Sequence, residues 1–226
     1  MTGLIVALDT ADADQAAAWA ETLAPHCGLL KLGLEFFLAQ GPAGVHAVTA
    51  RPVFLDLKLH DIPNTVAGAV RAVLPLRPRM LTLHAGGGAR MIEAARQAAD
   101  TIGDPPLLLA VTVLTSLDSS ALHATGVAGG PRQQVLRLGR LAMDAGADGL
   151  ICSPHEAAML RSALGSRSVL VVPGIRPAGA DADDQARTLT PREAADAGAD
   201  WIVVGRPITS SADPAAAAAA IAAELA

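Results

Sequence analysis

The chain has 226 residues, 51% of them hydrophobic and 17% charged, with a formal net charge of -5. That apolar content excludes a disordered chain, and the net negative balance without a basic stripe argues against a nucleic-acid binder. Two cysteines, Cys27 and Cys152, are too few for a disulfide framework and lack metal-site spacing, so buried free thiols in a reducing compartment are expected.

Met1-Thr2-Gly3 leads straight into the apolar run 4–8, which reads as a first strand and not as a signal peptide. Further short runs rich in Val, Ile and Leu follow at 29–32, 53–58, 80–84, 107–113, 148–152, 169–173 and 201–205. Helical patterns lie between them, near 12–23, 35–48, 63–75, 88–101, 131–145, 154–163, 190–197 and 213–225. Strict alternation implies parallel pairing, and near-continuous apolar strands imply burial on both faces. Eight such units predict an α/β fold, a single (β/α)₈ TIM barrel over 1–226, with an open doubly wound sheet as the alternative. No apolar run reaches the length of a membrane span, so a cytoplasmic protein is expected. Asp144-Ala145-Gly146-Ala147-Asp148 is echoed by Asp196-Ala197-Gly198-Ala199-Asp200, each ahead of a strand, and reads as helix-to-strand punctuation. The connections 114–130 and 174–189 are longer than the rest, follow strands, and the second is expected to close over a ligand.

Chemistry concentrates where strands end. Asp9 closes the first, Lys31 the second, Asp56 and Lys58 the third, and His84 the fourth. Active sites on this fold sit at that rim. Asp56 and Lys58 are two apart, which in a strand puts both on one face. An isolated Asp-x-Lys is more often a structural ion pair, but Asp61 and the neighbouring charged strand ends favour a site. A cluster of alternating sign keeps each member ionised, so the lysines are expected to act as cations or proton donors and not as imine-forming nucleophiles. Gly205-Arg206-Pro207 after the eighth strand and Pro173-Gly174-Ile175-Arg176 after the seventh predict an oxyanion site, where Gly205 admits the backbone and Arg206 supplies paired donors. His84 reads as a hydrogen-bonded residue of the cavity wall, and His60 has no partner nameable from sequence. His26, His46, His123 and His155 are scattered, and none forms metal-ligand spacing with a carboxylate.

These residues closely resemble the orotidine 5′-phosphate decarboxylase family. The match spans Val6-Ala7-Leu8-Asp9, Lys31-Leu32-Gly33, the whole run from Asp56 to Thr65, Thr112 to Ser116, Val172 to Arg176, Gln185, and Val204 to Thr209. The resemblance implies conversion of orotidine 5′-phosphate (OMP) to uridine 5′-phosphate (UMP) without metal or cofactor. It implies that Lys58 protonates the C6 carbanion and that Asp56 holds Lys58 and crowds the departing carboxylate. Asp9 and Lys31 would contact the ribose, and Thr115 the pyrimidine edge. Gln185, Gly205 and Arg206 would hold the phosphate, with Arg176 on the closing loop and Pro173 at its base. A homodimer is implied, with Asp61, Ile62 and Thr65 reaching the neighbouring site. Two other readings remain: a Mg²⁺-dependent sugar-phosphate enzyme resembling keto-gulonate phosphate decarboxylase and hexulose phosphate synthase, and a catalytically silent nucleotide-binding barrel.

Overall fold

The computed structural model of the chain describes residues 2–48, 51–177 and 189–225. Eight parallel strands close in sequence order into a barrel. They are β1 (Gly3–Ala7), β2 (Leu29–Gly33), β3 (Val53–Leu59), β4 (Met80–His84), β5 (Leu107–Val111), β6 (Gly149–Ile151), β7 (Val169–Val172) and β8 (Trp201–Val204). Closure comes from β1 pairing with β8, Gly3 opposite Trp201 and Val6 opposite Val204. The open doubly wound alternative is thereby excluded.

The helices are α1 (Ala13–Leu23), α2 (Leu34–Val48), α3 (Pro63–Val73), α4 (Ala89–Ala99), α5 (Ser119–Ala124), α6 (Pro131–Asp144), α7 (Ala157–Leu164), α8 (Pro191–Asp196), α9 (Arg206–Thr209) and α10 (Pro214–Glu224). Local chemistry sets their starts. Asp12 caps α1 by accepting from the Asp14 and Gln15 amides, Thr190 and Glu193 form a reciprocal cap on α8, and Asp213 caps α10. Two departures from the expected pattern have local causes. Gly41, at φ 62, followed by Pro42, breaks the helical run inside α2. The connection 114–130 holds the short helix α5, nucleated by Asp118 accepting from the Ala121 amide.

Strand alternation separates two cores. Ile5, Ala7, Leu29, Phe54, Met80, Leu109, Val171 and Val203 point inward and fill the lumen. The alternate set, among them Val6, Leu30, Leu55, Leu81 and Leu170, packs outward against the helices. At the N-terminal end the Trp201 indole lies against Gly3 and Gly28, where any Cβ would collide with the ring. Outside that end is an open cavity of about 800 Å³ that Arg71, Arg77, Arg79 and Asp104 help to line.

The repeated motif does more than punctuate. Gly146 (φ 96) and Gly198 (φ 93) supply left-handed turns beyond α6 and α8. The closing aspartate of each motif then reaches across to a neighbouring strand. Asp148 accepts from the Leu108 amide at 2.7 Å and from Arg96 at 2.9 Å. Asp200 accepts from the Leu170 amide at 2.7 Å and from Arg161 at 2.6 Å. Each motif therefore anchors the first residues of β5 or β7 to a helix-borne arginine.

Candidate active site

The expected charged residues converge at the C-terminal rim of β1, β2 and β3. Strand register explains the convergence: Ala7 lies opposite Lys31, and Gly33 opposite Asp56. The Lys31 Nζ donates to Asp9 Oδ1 at 3.0 Å and stands 3.6 Å from Asp56 Oδ2. The Lys58 Nζ donates to Asp56 Oδ1 at 2.8 Å. Gly33 and Gly205 leave room for this array, since a Cβ at either would lie 3.3 Å from the Lys31 Nζ or an Asp9 carboxylate oxygen. Lys31 is buried, while Asp9 and Lys58 retain access to solvent.

Burial pushes the Asp56 carboxyl upward, but the Lys31 and Lys58 ammonium groups, with hydrogen bonds from Lys58 and Thr82, outweigh it and hold the acid below the usual carboxylate range. Asp56 is therefore a fixed negative charge between two cations. Each lysine places its amine against that charge, Lys58 in direct contact and Lys31 beside it.

The backbone under Lys58 departs from a regular strand. Leu55 pairs with Leu81 and Leu59 with Leu83, so four steps along β3 match two along β4. Within that irregularity Lys58 adopts φ 49, in the left-handed region. Asp56 and Lys58 face one another as the spacing predicts, yet the bulge and not simple alternation aims the lysine. Thr82, fully buried on β4, spans the gap. Its hydroxyl accepts from the Lys58 amide at 2.8 Å and donates to Asp56 Oδ1 at 3.0 Å. Sequence reasoning passed over Thr82; the available signal was one hydroxyl in the apolar run Met80-Leu81-Thr82-Leu83.

His84 Nδ1 accepts from the Gly86 amide at 3.0 Å. Its partner across the site is His60, whose ring stacks on it with centroids 5.0 Å apart and planes 10° from parallel. Burial first, then the nearby His60 and Lys58, lower the His84 pKa below the ordinary histidine value, which favours a neutral ring.

The remaining expected residues ring this cluster. Asp61 is exposed on the loop before α3 and accepts from the Ile62 amide at 2.6 Å. Ile62 is 67% exposed, and Thr65 is exposed in the first turn of α3. Thr115 is half-buried beyond β5. Beyond β7, Pro173 is half-buried, Gly174 turns at φ 77, and Arg176 is buried, donating through its guanidinium to the Ile175 carbonyl at 3.1 Å. The Arg176 amide also donates to the Leu189 carbonyl at 3.0 Å, which joins the two ends of the 174–189 connection. Gln185 and most of that connection lie outside the described residues. Gly205 takes a φ/ψ of -113/-104 at the turn from β8 into α9, and Arg206 is exposed there. Among the described residues, no group of three or more His, Cys, Asp or Glu is placed to hold a metal ion.

A closed parallel barrel with a half-buried acid between two ammonium groups at its C-terminal rim defines a (β/α)₈-barrel enzyme. The comparisons specify which. The family profile described as orotidine 5′-phosphate decarboxylase / HUMPS family matches residues 2–221. A protein of Gluconobacter oxydans named orotidine 5′-phosphate decarboxylase is 57% identical over 232 residues, covering 100% of this chain and 98% of that protein. A protein of the same name from Thermobifida fusca is 55% identical, covering 98% and 95%. The crystal structure of orotidine 5′-phosphate decarboxylase from Lactobacillus acidophilus superposes with a TM-score of 0.89 at 39% identity, covering 100% and 99% of the two chains. The chain belongs to the orotidine 5′-phosphate decarboxylase / HUMPS family.

Proposed function

We propose that this chain, acting as one catalytic domain over 1–226, decarboxylates OMP to UMP with Lys58 as the proton donor. The observation that carries the reading is the array Asp9–Lys31–Asp56–Lys58, with successive contacts of 3.0, 3.6 and 2.8 Å. In this reaction the bond from C6 of the pyrimidine to its carboxylate breaks, CO₂ leaves, and the electron pair stays on C6. The Lys58 ammonium stabilises that pair electrostatically and then transfers one proton to C6, giving UMP and a neutral amine that regains its proton from water. Asp56 holds Lys58 in place and repels the substrate carboxylate until it departs. Energy from gripping the distant phosphate, through Gly205, Arg206, Gln185 and Arg176, orders the site around the ring. Asp9 and Lys31 engage the ribose, and Thr115 the pyrimidine edge.

The family also embraces relatives with a different chemistry, described above as Mg²⁺-dependent sugar-phosphate enzymes. Lys31 argues against that activity here, because its buried ammonium would repel a divalent cation at the place where such an ion needs an acid. The high identity to proteins named orotidine 5′-phosphate decarboxylase favours the same conclusion. The reading further includes a cytoplasmic homodimer in which Asp61, Ile62 and Thr65 reach the partner's site. Their support is the exposure of all three on one rim, including an apolar Ile62 that a second chain would cover.

Purified chain given OMP in excess chelator, followed by ultraviolet absorbance and by product chromatography, tests the assignment. UMP formation at an undiminished rate is the expected result, and Lys58→Ala should lower kcat by at least ~10³-fold. A flat trace, or turnover that needs Mg²⁺, would refute it.

A further inference from the structure

We propose that Thr82 is a positioning residue for the reaction, acting through Lys58 and Asp56. This inference rests on the assignment of Lys58 as proton donor. Three observations carry it. Thr82 is fully buried in a strand whose other inward residue below it, Met80, is part of the apolar lumen. Its hydroxyl uses both of its capacities on catalytic groups, accepting from the Lys58 amide and donating to Asp56 Oδ1. And it does so where β3 and β4 lose their register, beside the left-handed Lys58 backbone.

The regular strand ladder is interrupted at Lys58, and a part-buried amide there needs an acceptor that the ladder no longer supplies. The Thr82 oxygen provides one. A left-handed backbone at a non-glycine residue is unfavourable and persists only where its surroundings hold it. Releasing the Lys58 amide would let the backbone relax toward extension and redirect the side chain that carries the amine.

The second bond fixes the carboxylate. Asp56 Oδ1 takes both the Thr82 hydroxyl and the Lys58 ammonium, which leaves Oδ2 toward Lys31. One small side chain therefore sets the direction of the proton donor and the rotation of the acid that holds it. Thr82 touches neither OMP nor its reacting carbon in this account, so its influence should appear in turnover and not in substrate capture.

The test compares three variants with wild type for kcat, KM for OMP, UMP affinity and thermal melting. Thr82→Val keeps the volume and removes the hydroxyl. Its kcat should fall by ~tenfold or more, while KM and UMP affinity stay within about threefold of wild type. Thr82→Ser restores the hydroxyl and should recover kcat to within about threefold of wild type. Should the Val variant fail to fold, Thr82→Ala against Thr82→Ser isolates the hydroxyl, since both lack the methyl group; Ala should then be the slower by ~tenfold. A folded hydroxyl-less variant with a smaller fall in kcat, a Ser variant no faster than Ala, or a change confined to KM would overturn the proposal. Wild-type chain that leaves OMP unchanged would instead remove the functional reading beneath it.

Discussion

The Lys31 ammonium lies 3.6 Å from the Asp56 carboxylate, joining adjacent strands whose register sets Gly33 opposite Asp56. That contact makes the acid's ionisation depend on a residue outside its own strand. Burial raises the Asp56 pKa, and the two lysines and Thr82 reverse the effect to give a net depression. A depressed carboxyl contributes stability that is fully present above its unfolded value, about 3.9, and is lost as pH falls through the folded value. Lys31→Ala raises the folded value, so the stability gap between variant and wild type should be largest near neutrality and should close as pH falls below ~4. Denaturant unfolding across that range measures it; a gap that is constant with pH would refute the coupling. The same variant should lose about 10²–10³ in kcat/KM.

Asp61 is exposed beyond the strand end that carries Lys58, and its own carboxylate accepts from the adjacent Ile62 amide. If it serves the partner's site, Asp61→Ala and Lys58→Ala subunits complement each other. A hybrid dimer then holds one site lacking both groups and one that is intact. Mixing the two inactive variants should restore about a quarter of wild-type activity, the statistical expectation for random exchange with one intact site per hybrid. No recovery after subunit exchange has been verified by mass would place Asp61 with its own chain's Lys58 or outside catalysis.

The Asp200–Arg161 pair lies at the opposite end of the barrel, where Asp200 also accepts from the Leu170 amide of β7. Asp200→Ala leaves the Leu170 amide without that acceptor and should cost about 1–3 kcal/mol of stability. The partly exposed carboxylate keeps the loss toward the lower end. kcat should stay within about twofold, because no catalytic group moves. Asp148→Ala should behave alike at β5. A loss of activity without loss of stability would mean that the repeated motif has a role in the site.

Burial pushes the Cys27 thiol up to about 11, against the opposing effects of the Val6 backbone and Arg51, and raises Cys152 further still. Thiolate is the reactive form, so the native chain at pH 8 should react slowly with an aromatic disulfide reagent. Two equivalents should titrate promptly in denaturant, matching the two cysteines. Rapid labelling of the buried Cys152 or the half-buried Cys27 in the folded chain would contradict these upward shifts.

Much of the fold was legible because short apolar runs and amphipathic stretches alternate strictly, and that pattern has few compact solutions. Boundaries were less so. The run expected over 148–152 is a strand only at Gly149–Ile151, and the 107–113 run ends as a strand at Val111, because ladder pairing with neighbours, absent from local sequence, decides where each stops. Asp9, Lys31, Asp56 and Lys58 were legible as charges that end apolar strands. Thr82 was not, since threonine suits any strand and its meaning depends on a bulge across the sheet. Neither the His60–His84 stack nor the arginines that meet Asp148 and Asp200 follow from spacing, for each joins residues from separate elements.

Position 58 sets folding preference against chemistry. A glycine there would accept the φ of 49 without steric objection, whereas lysine is disfavoured by roughly 1 kcal/mol. Glycine would remove that strain but also the ammonium that offsets the burial of Asp56, so backbone cost and ion pair oppose one another at a single residue. Any programme to harden this enzyme has to keep that codon fixed and seek its gains on the far side of the barrel.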